Sequence, residues 1–228
     1  MKQFIVRILN LIFGLFLYAL GVVLSIRANI GYAPWDVFHA GLAQKTGMSI
    51  GIASILTGIV VVGIVLVLGE KIGLGTILNM ILIGVFIDLI LMSEIIPKQE
   101  RFIFGLLMLI IGLFVISLGS YFYIKAAFGA GPRDSLMVVL NRKTKLPVGV
   151  CRSTIELTVT IIGWFLGGMA GIGTVISVIA IGFFVQLTFY LLKFVPSAVK
   201  HETLHRTYKN LIELHANVCK KNTPKGGF

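Results

Sequence analysis

The chain has 228 residues, of which 57% are hydrophobic and only 13% are charged, and its formal net charge is +11 at pH 7. Soluble domains average ~45–50% apolar and ~25% charged residues, so this composition excludes an ordinary soluble globular domain. The basic residues are spread along the chain and do not form one patch, so we expect no nucleic-acid partner. The two cysteines, Cys151 and Cys219, exclude a disulfide framework and a Cys-x-x-Cys metal site, and we expect neither a metal nor a cofactor.

Six apolar runs follow one another along the chain. They cover residues 4–26, 49–69, 72–92, 102–125, 147–168 and 171–194. Each has at least 18 residues, and about 20 apolar residues cross the hydrocarbon core of a bilayer. The first run is longer than the apolar part of a secretory signal and ends in SIRANIG, which is no small-residue cleavage site. We therefore expect six transmembrane helices, the first of them retained, with the lipid bilayer as their immediate partner.

A short break follows the first run and recurs after the fourth. Residues 31–46 read GYAPWDVFHAGLAQKT and residues 129–144 read GAGPRDSLMVVLNRKT, so both contain Gly-x-x-Pro-x-Asp. The glycine can end one helix and the proline suits the first position of the next. These predicted helix breaks are Gly31, Pro34, Gly129 and Pro132. Asp36 and Asp134 then lie in the first turn, where a carboxylate can accept hydrogen bonds from free N–H groups.

The apolar stretches after these breaks, VFHAGLA and SLMVVL, are too short to cross a bilayer. One interpretation is a capped helix lying at the membrane surface. The other is a pair of re-entrant helices that enter from opposite faces and bring their N-termini and aspartates towards a central site. The sequence leaves both interpretations open.

The two breaks belong to a longer internal repeat. When the chain is shifted by 98 residues, residues 14–91 align with residues 112–189 without a gap and share 26 identities in 78 positions. Registered glycines match together with the proline and aspartate of the break, which apolar bias alone does not produce. We therefore predict a duplication, with repeats over 1–98 and 99–196 and a basic cytoplasmic tail over 197–228.

Each repeat holds three predicted spans. Because three is odd, the second repeat must enter the membrane from the opposite face, which predicts two inverted halves as in many secondary transporters. With the N-terminus in the cytoplasm, the inside segments carry 16 of the 20 Lys and Arg residues and the outside segments carry 4. We therefore expect both termini in the cytoplasm. This placement also accounts for the basic second break, where Arg133 replaces Trp35.

Two charged residues lie inside the fifth predicted span. Arg152 and Glu156 are one helical turn apart and project from about the same face. Ionisable groups at this depth are costly, so they either form a pair that fixes packing or act as a coupled carboxylate or solute contact. Their counterparts Ser54 and Gly58 are small, so we expect the second and fifth spans to pack together. Asp88 and its counterpart Gln186 form a weaker pair of path candidates, although a helix-end carboxylate that reaches water is a simpler interpretation.

The tail contains HETLH at 201–205, which matches the H-E-x-x-H pattern of zinc sites. The pattern lies in a short basic segment with no domain to form a cleft, so we do not expect zinc there. An amphipathic helix over 198–219 fits better, resting on the inner leaflet or on a partner. Its predicted apolar stripe consists of Leu204, Tyr208, Leu211, His215 and Val218. The end, KKNTPKGGF, has the composition of a disordered segment.

The repeated blocks LGVVLSIRANIGYAPWDVFHAGLAQKTGMSIG and LGSYFYIKAAFGAGPRDSLMVVLNRKTKLPVG resemble the YczE/YyaS/YitT-type bacterial membrane proteins. The resemblance implies a protein of the bacterial cytoplasmic membrane. It carries over no catalytic residues, because the family has no settled biochemical activity.

The combined expectation is an all-α membrane protein of two inverted three-helix repeats, each with a short re-entrant or interfacial helix. Its expected function is small-solute transport or solute binding as a membrane subunit, with Asp36, Asp134, Arg152 and Glu156 near the path. The alternative is a non-transporting scaffold or regulatory accessory protein, and we do not expect an enzyme. A homodimer or an energising partner subunit is compatible with the small size of the chain.

Overall fold

The computed structural model describes residues 2–196, 199 and 201–209. All regular structure in this part of the chain is helical, with no β-strand. The eight longer helices are α1 (Lys2–Arg27), α2 (Pro34–Thr46), α3 (Ile50–Val67), α4 (Leu74–Met92), α5 (Phe102–Lys125), α6 (Pro132–Thr144), α7 (Val148–Phe165) and α8 (Ile172–Leu191). A ninth, short helix covers residues 204–209. The predicted stripe residues Leu211, His215 and Val218, together with the KKNTPKGGF end, lie outside the described residues.

Several of these helices have the length and composition of membrane spans. Five qualify by both criteria, namely α1, α3, α4, α5 and α8. Helix α7 is not among these five; it has 18 residues and carries Arg152 and Glu156. Helices α2 and α6 have 13 residues each, or about 20 Å of helix, which is too short for a hydrocarbon core of ~30 Å. The chain is therefore an all-helical membrane protein.

Helices α1 and α5 form the centre of the structure and approach each other through glycines. A Cβ on Gly21 would lie 2.5 Å from the carbonyl oxygen of Gly112, and one on Gly119 would lie 2.7 Å from the carbonyl oxygen of Gly14. As the residue number rises along α1, the number of the residue that it contacts in α5 falls, so the two helices run antiparallel. Because small residues let helix backbones approach closely, this contact provides packing that does not depend on a hydrophobic driving force.

The two breaks are in contact with the starts of α4 and α8. The N–H of Gly173 donates to the carbonyl oxygen of Ile30 at 2.7 Å, and the N–H of Gly75 donates to that of Phe128 at 2.7 Å. In each case a connection in one half of the sequence touches a helix start in the other half. Gly31, with φ of +117°, lies directly against this contact, in a left-handed region that side chains with a Cβ rarely adopt.

Helix α2 is buried between α3 and α7. Trp35, Asp36 and His39 are all buried, and Gly41 lies against the backbone of Gly163 in α7. The choice between a re-entrant helix and one at the membrane surface stays a prediction, since both are compatible with burial inside the protein. The helix forms part of the core on its side of the α1–α5 pair.

The predicted contact between the second and fifth spans is wrong. Gly58 faces α4, where its Cβ would lie 2.5 Å from Cγ of Met80, and it does not accommodate Glu156. Helices α2 and α6 each contact both α3 and α7, and they hold these two helices apart. Spacing along the sequence could not predict this arrangement, because the sequence left open whether α2 and α6 lie at the membrane surface.

Helices α4 and α8 occupy equivalent places in the repeats but pack differently. Helix α3 lies along α4, with Gly51 and Gly84 in close backbone contact. Helices α7 and α8, by contrast, barely touch, and a Cβ on Gly149 or Gly182 would meet nothing within 4 Å. The two halves therefore share their helix order but differ in how their last two long helices are joined.

Candidate functional site

Two cavities meet in the middle of the structure. The first cavity, of about 60 Å³, lies between α3, α4 and the start of α6. The second cavity, of about 110 Å³, lies between α7, α8 and the start of α2. Tyr18, Trp35, Arg133 and Asp134 line both cavities, so these four side chains form the wall between them.

The linings of the two cavities correspond to each other through the repeat. Most positions in one lining have their counterpart, 98 residues away, in the other. Residues of the first cavity and their counterparts in the second are Ser54 and Arg152, Gly58 and Glu156, Asn79 and Ser177, Met80 and Val178, Ile83 and Ile181, Pro132 and Pro34, and His39 and Met137. The correspondence places the shared wall where the two repeats meet.

Arg133 and Trp35 occupy equivalent positions and touch each other in this wall. The guanidinium carbon of Arg133 lies 4.8 Å from the centre of the Trp35 ring, a distance typical of a cation–π contact. Within the described residues, Arg133 forms no ion pair. Its assignment to the cytoplasmic side stays a prediction, and its side chain lines both cavities. The sequence signal was its place in the repeated break, which we attributed to topology alone.

Asp36 and His39 form a buried polar pair in the first two turns of α2. Their side chains are 3% and 1% exposed, and Nδ1 of His39 lies 3.6 Å from Oδ1 of Asp36. Neither of these two atoms has a hydrogen-bond partner in the described chain. Burial lowers the pKa of His39, against the opposing effect of Asp36, so the imidazole is neutral at pH 7. Asp36 thus presents a carboxylate oxygen without a partner next to the second cavity.

The equivalent carboxylate, Asp134, has a different partner. Its Oδ2 accepts a hydrogen bond from the hydroxyl of Tyr123 at 2.7 Å. The expected cap, in which Asp36 and Asp134 accept from N–H groups of their own helices, is not observed among the described residues. The N-cap residues are Ala33 and Gly131, which have no side chain for this purpose.

Arg152 and Glu156 pair as their spacing predicts. Nε of Arg152 donates to Oε1 of Glu156 at 2.9 Å, and both residues line the second cavity. The side chain of Glu156 is 16% exposed and that of Arg152 is 49% exposed. The pair therefore adds an accessible cation to the second cavity, whereas Ser54 and Gly58 leave the equivalent wall of the first cavity uncharged.

The remaining path candidates, Asp88 and Gln186, line neither cavity. Oδ1 of Asp88 accepts a hydrogen bond from the N–H of Gly51 at 2.8 Å, and its other oxygen is hydrogen-bonded to Ser49. Asp88 thus joins α4 to the first turn of α3. Gln186 is exposed on α8.

A third cavity, here called the lateral groove, lies between α3 and α7 with α2 and α6 as its floor. Its volume is about 460 Å³ and its lining is apolar except for three threonines. The residues that line it are Trp35, Phe38, Leu42, Leu56, Thr57, Val60, Val61, Leu136, Leu140, Thr154, Ile155, Thr158, Val159 and Ile162. Trp35 therefore borders all three cavities.

The described part of the tail contacts the protein itself. The carboxylate of Glu202 pairs with Arg7 at 2.8 Å, and its N–H donates to the carbonyl oxygen of Ala127 at 2.8 Å. The N–H of Leu204 donates to the carbonyl oxygen of Ile72 at 3.0 Å. The glutamate of the HETLH pattern thus holds the tail against the connections that precede α4 and α6.

The sequence predicted Asp36, Asp134, Arg152 and Glu156 as site residues, but it did not predict Arg133 or the aromatic and imidazole members. Tyr18, Trp35, His39 and Tyr123 lie in or next to predicted spans, where such residues are common for packing reasons alone. Their convergence depends on contacts between helices that are distant in the sequence.

The chain is similar to proteins from two bacteria. It is 36% identical over 177 residues to the uncharacterized membrane protein YczE of Bacillus subtilis. These residues cover 77% of this chain and 81% of YczE. An uncharacterized protein of Haemophilus influenzae is 32% identical over 186 residues, or 82% of this chain and 84% of that protein. The uncharacterized protein YyaS of Bacillus subtilis is 28% identical over 171 residues, or 72% of this chain and 83% of YyaS.

No solved structure matches the chain. The model of the family of unknown function DUF6198 matches residues 5–189, which include the aligned segments 14–91 and 112–189, both breaks and the residues that line the three cavities. This membrane protein therefore belongs to the DUF6198 family.

Proposed function

We propose that the protein is a small-solute transporter of the bacterial cytoplasmic membrane, with α7 as its sixth span and the two repeats as inverted halves. Both termini lie in the cytoplasm in this proposal. The observation that carries it is the pair of corresponding cavities that share one wall. A solute site between two inverted repeats is the arrangement used by many secondary transporters.

The antiparallel contact of α1 and α5 supports the inverted arrangement. These are equivalent helices of the two repeats, and the glycine pairs Gly14–Gly119 and Gly21–Gly112 are exchanged by the 98-residue shift. A contact between equivalent helices that maps onto itself is expected on a two-fold axis between the halves. The distribution of Lys and Arg supports the orientation of the termini.

The different packing of the two halves supports movement. In the proposed orientation, Gly51, Gly84 and Asp88 lie towards the outer face and hold α3 to α4. The equivalent glycines, Gly149 and Gly182, lie towards the cytoplasm and are apart. An exchange of these two arrangements would close the second cavity and open the first, which is alternating access.

The charged residues near the shared wall give the path its chemistry. Among the described residues, Asp36 offers a carboxylate oxygen without a hydrogen-bond partner, Arg133 a cation without an ion pair, and Arg152 and Glu156 a charge pair. Ionisable groups inside a membrane protein mark solute or ion pathways, because their burial is costly. These residues are therefore assigned to the solute path, together with Asp134.

Cysteine accessibility from the two sides of the membrane tests this proposal. Asn79→Cys reports on the first cavity and Ser177→Cys on the second, in a background without Cys151 and Cys219. With a membrane-impermeant thiol reagent, Ser177→Cys should react from the cytoplasmic side and Asn79→Cys from the outside. A scaffold with a closed core would leave both positions unreactive, and that result would exclude transport.

A wedge between α7 and α8 tests whether the two reactions are linked. Gly182→Leu should keep α7 and α8 apart, retain the reaction of Ser177→Cys and abolish that of Asn79→Cys. Gly63→Leu is the matched control, because a Cβ on Gly63 also meets nothing within 4 Å and its repeat counterpart is Ile161. Equal labelling of Asn79→Cys in the two wedge variants would contradict the proposed exchange.

A further inference from the structure

Asp36 and His39 lie between the two polar cavities. Asp36 lines the second cavity but not the first, whereas His39 lines the first but not the second. The two residues are one turn apart on α2, and Oδ1 of Asp36 is 3.6 Å from Nδ1 of His39. This distance is longer than a hydrogen bond. A species held between these two atoms would therefore be next to both cavities.

The space between the two atoms limits what can bind there. Both atoms are fully buried, and neither has a hydrogen-bond partner in the described chain. Buried polar atoms are nearly always paired, so two that face each other without partners point to a bound species. A bridging water would separate its two partners by about 4.5 Å or more, because each hydrogen bond has a length of about 2.8 Å. A proton is small enough, and it requires only the carboxylate oxygen and the imidazole nitrogen.

A metal cation is a poorer occupant than a proton. Hard cations take several oxygen ligands, whereas this pair offers one oxygen and one nitrogen. Within the part of the chain that the structure describes, no three His, Cys, Asp or Glu side chains gather as ligands of a metal ion. A carboxylate next to an imidazole is instead the combination that binds and passes protons in pumps and transporters.

The charges beside the pair favour the uptake of one proton. Helices α3, α4 and α8 contribute only neutral side chains to the linings of the two cavities. The titratable and charged side chains of the other helices in these linings are Tyr18 of α1, Tyr123 of α5, Arg133 and Asp134 of α6, and Arg152 and Glu156 of α7. With Asp36, this set has three carboxylates and two guanidiniums. One proton on Asp36 makes the set neutral, which lowers the cost of burying it in a membrane protein.

We propose that Asp36 and His39 form a proton site that couples transport to the proton gradient. A proton that enters from one cavity converts the carboxylate of Asp36 to the acid and is shared between Oδ1 and Nδ1. It leaves to the other cavity after the exchange of helix packing, and the carboxylate becomes anionic again. This inference rests on the proposed function and deepens it, because it names the coupling ion. Glu156, whose carboxylate is paired with Arg152, is not the proposed proton site.

Spectroscopy of the reconstituted protein measures proton binding directly. Infrared difference spectra between low and high pH should contain a carboxylic acid band that Asp36→Asn removes. Asp88→Asn is the matched control and should retain the band, because Asp88 is hydrogen-bonded to Gly51 and lines neither cavity. The chain has four histidines, and the NMR signal of His39 is the one that His39→Gln removes. This signal should titrate over the same pH range as the infrared band.

The same titrations show whether the two side chains share the proton. A carboxylate at this distance favours the imidazolium, so Asp36→Asn should lower the titration midpoint of His39 by about one pH unit or more. This shift is a loss of proton affinity of about tenfold or more. Replacement of choline by sodium at constant ionic strength should shift neither titration.

Thiol labelling at pH values above and below the midpoint tests the coupling. The ratio of the reactions of Asn79→Cys and Ser177→Cys should change between the two pH values, because the exchange of helix packing follows protonation of the pair. With Asp36→Asn added, only the pH dependence of the thiols themselves should remain. Asp36→Glu, which keeps an acid, should restore the change in the ratio.

Two spectroscopic results would overturn the proton site. The first is a His39 signal that titrates identically with and without Asp36→Asn, and the second is a shift of the titrations by sodium, which would assign the site to that ion. In the labelling experiment, a ratio that responds to pH equally with and without Asp36→Asn would exclude coupling and leave transport in place. A pair that titrates as expected, without reaction of the two cysteines from opposite sides, would instead contradict the proposed function.

Discussion

Asp88 in α4 accepts a hydrogen bond from the backbone N–H of Gly51, the second residue of α3, at 2.8 Å. The contact satisfies one of the N–H groups that a helix start leaves free, and it does so from a neighbouring helix. The equivalent residues Gln186 and Gly149 are exposed and lie apart. This hydrogen bond thus distinguishes the half of the molecule in which α3 packs on α4 from the half in which α7 and α8 lie apart.

Replacement of Asp88 should destabilise the protein. Asp88→Ala leaves the N–H of Gly51 without its partner in a buried position, which costs about 1–3 kcal/mol. Thermal unfolding of the purified protein in detergent measures the effect. Gln186→Ala, at the equivalent exposed position, should leave the midpoint nearly unchanged. Equal shifts for the two variants would contradict the assigned role of Asp88.

The glycine contact between α3 and α4 predicts a second difference between the halves. A Cβ on Gly84 would lie 2.5 Å from the carbonyl oxygen of Gly51, so Gly84→Ala must push the helices apart at a cost of about 1–3 kcal/mol. Gly182→Ala introduces the same methyl group where nothing lies within 4 Å. We expect a lower unfolding midpoint for Gly84→Ala alone. A similar loss in both variants would mean that α7 and α8 also pack closely.

The charge pair of α7 should be more important for transport than for folding. Glu156→Gln keeps an oxygen that can accept the hydrogen bond from Nε of Arg152 and removes only the negative charge. Because Arg152 is half exposed, the free energy of unfolding should change by less than about 1 kcal/mol. Uptake of the solute into vesicles that contain the variant should be lost. Retained uptake would place Glu156 outside the solute path.

The contact between Arg7 and Glu202 should control the position of the tail. The carboxylate of Glu202 pairs with Arg7 and also accepts a hydrogen bond from Thr207. Glu202→Gln weakens this pair, so the bond after the exposed Arg206 should be cleaved faster by trypsin. Limited proteolysis of inside-out vesicles measures the rate. Arg7→Gln should have a similar effect, and the double variant should add little to either single one, because both lose the same interaction.

Local features of the sequence were sufficient for the helices and their ends. Predicted runs such as 102–125 and 72–92 agree closely with α5 and α4, because a long apolar run has few alternatives in a membrane. The prolines at 34 and 132 begin α2 and α6 as predicted, since a fixed φ and a missing N–H suit the first turn of a helix. The pairing of Arg152 and Glu156 likewise follows from their spacing within one helix.

Contacts between distant segments could not be predicted in this way. The sequence predicted no contact for Arg133, which the structure places on Trp35 between two cavities. It also predicted a contact between the second and fifth spans, which α2 and α6 prevent because they lie between α3 and α7.

The sequence by itself determined where the chain forms helices, where these end and which positions correspond in the two repeats. The first two depend on hydropathy and backbone preferences within a few turns of chain, and the third depends on the 98-residue shift that aligns the repeats. Only the tertiary structure decided which equivalent residues meet and which remain apart. Gly51 and Gly149 occupy the same register position, yet one is held by Asp88 and Gly84 while the other faces open space. The physical reason is that such contacts depend on the relative placement of whole helices, which no local pattern specifies.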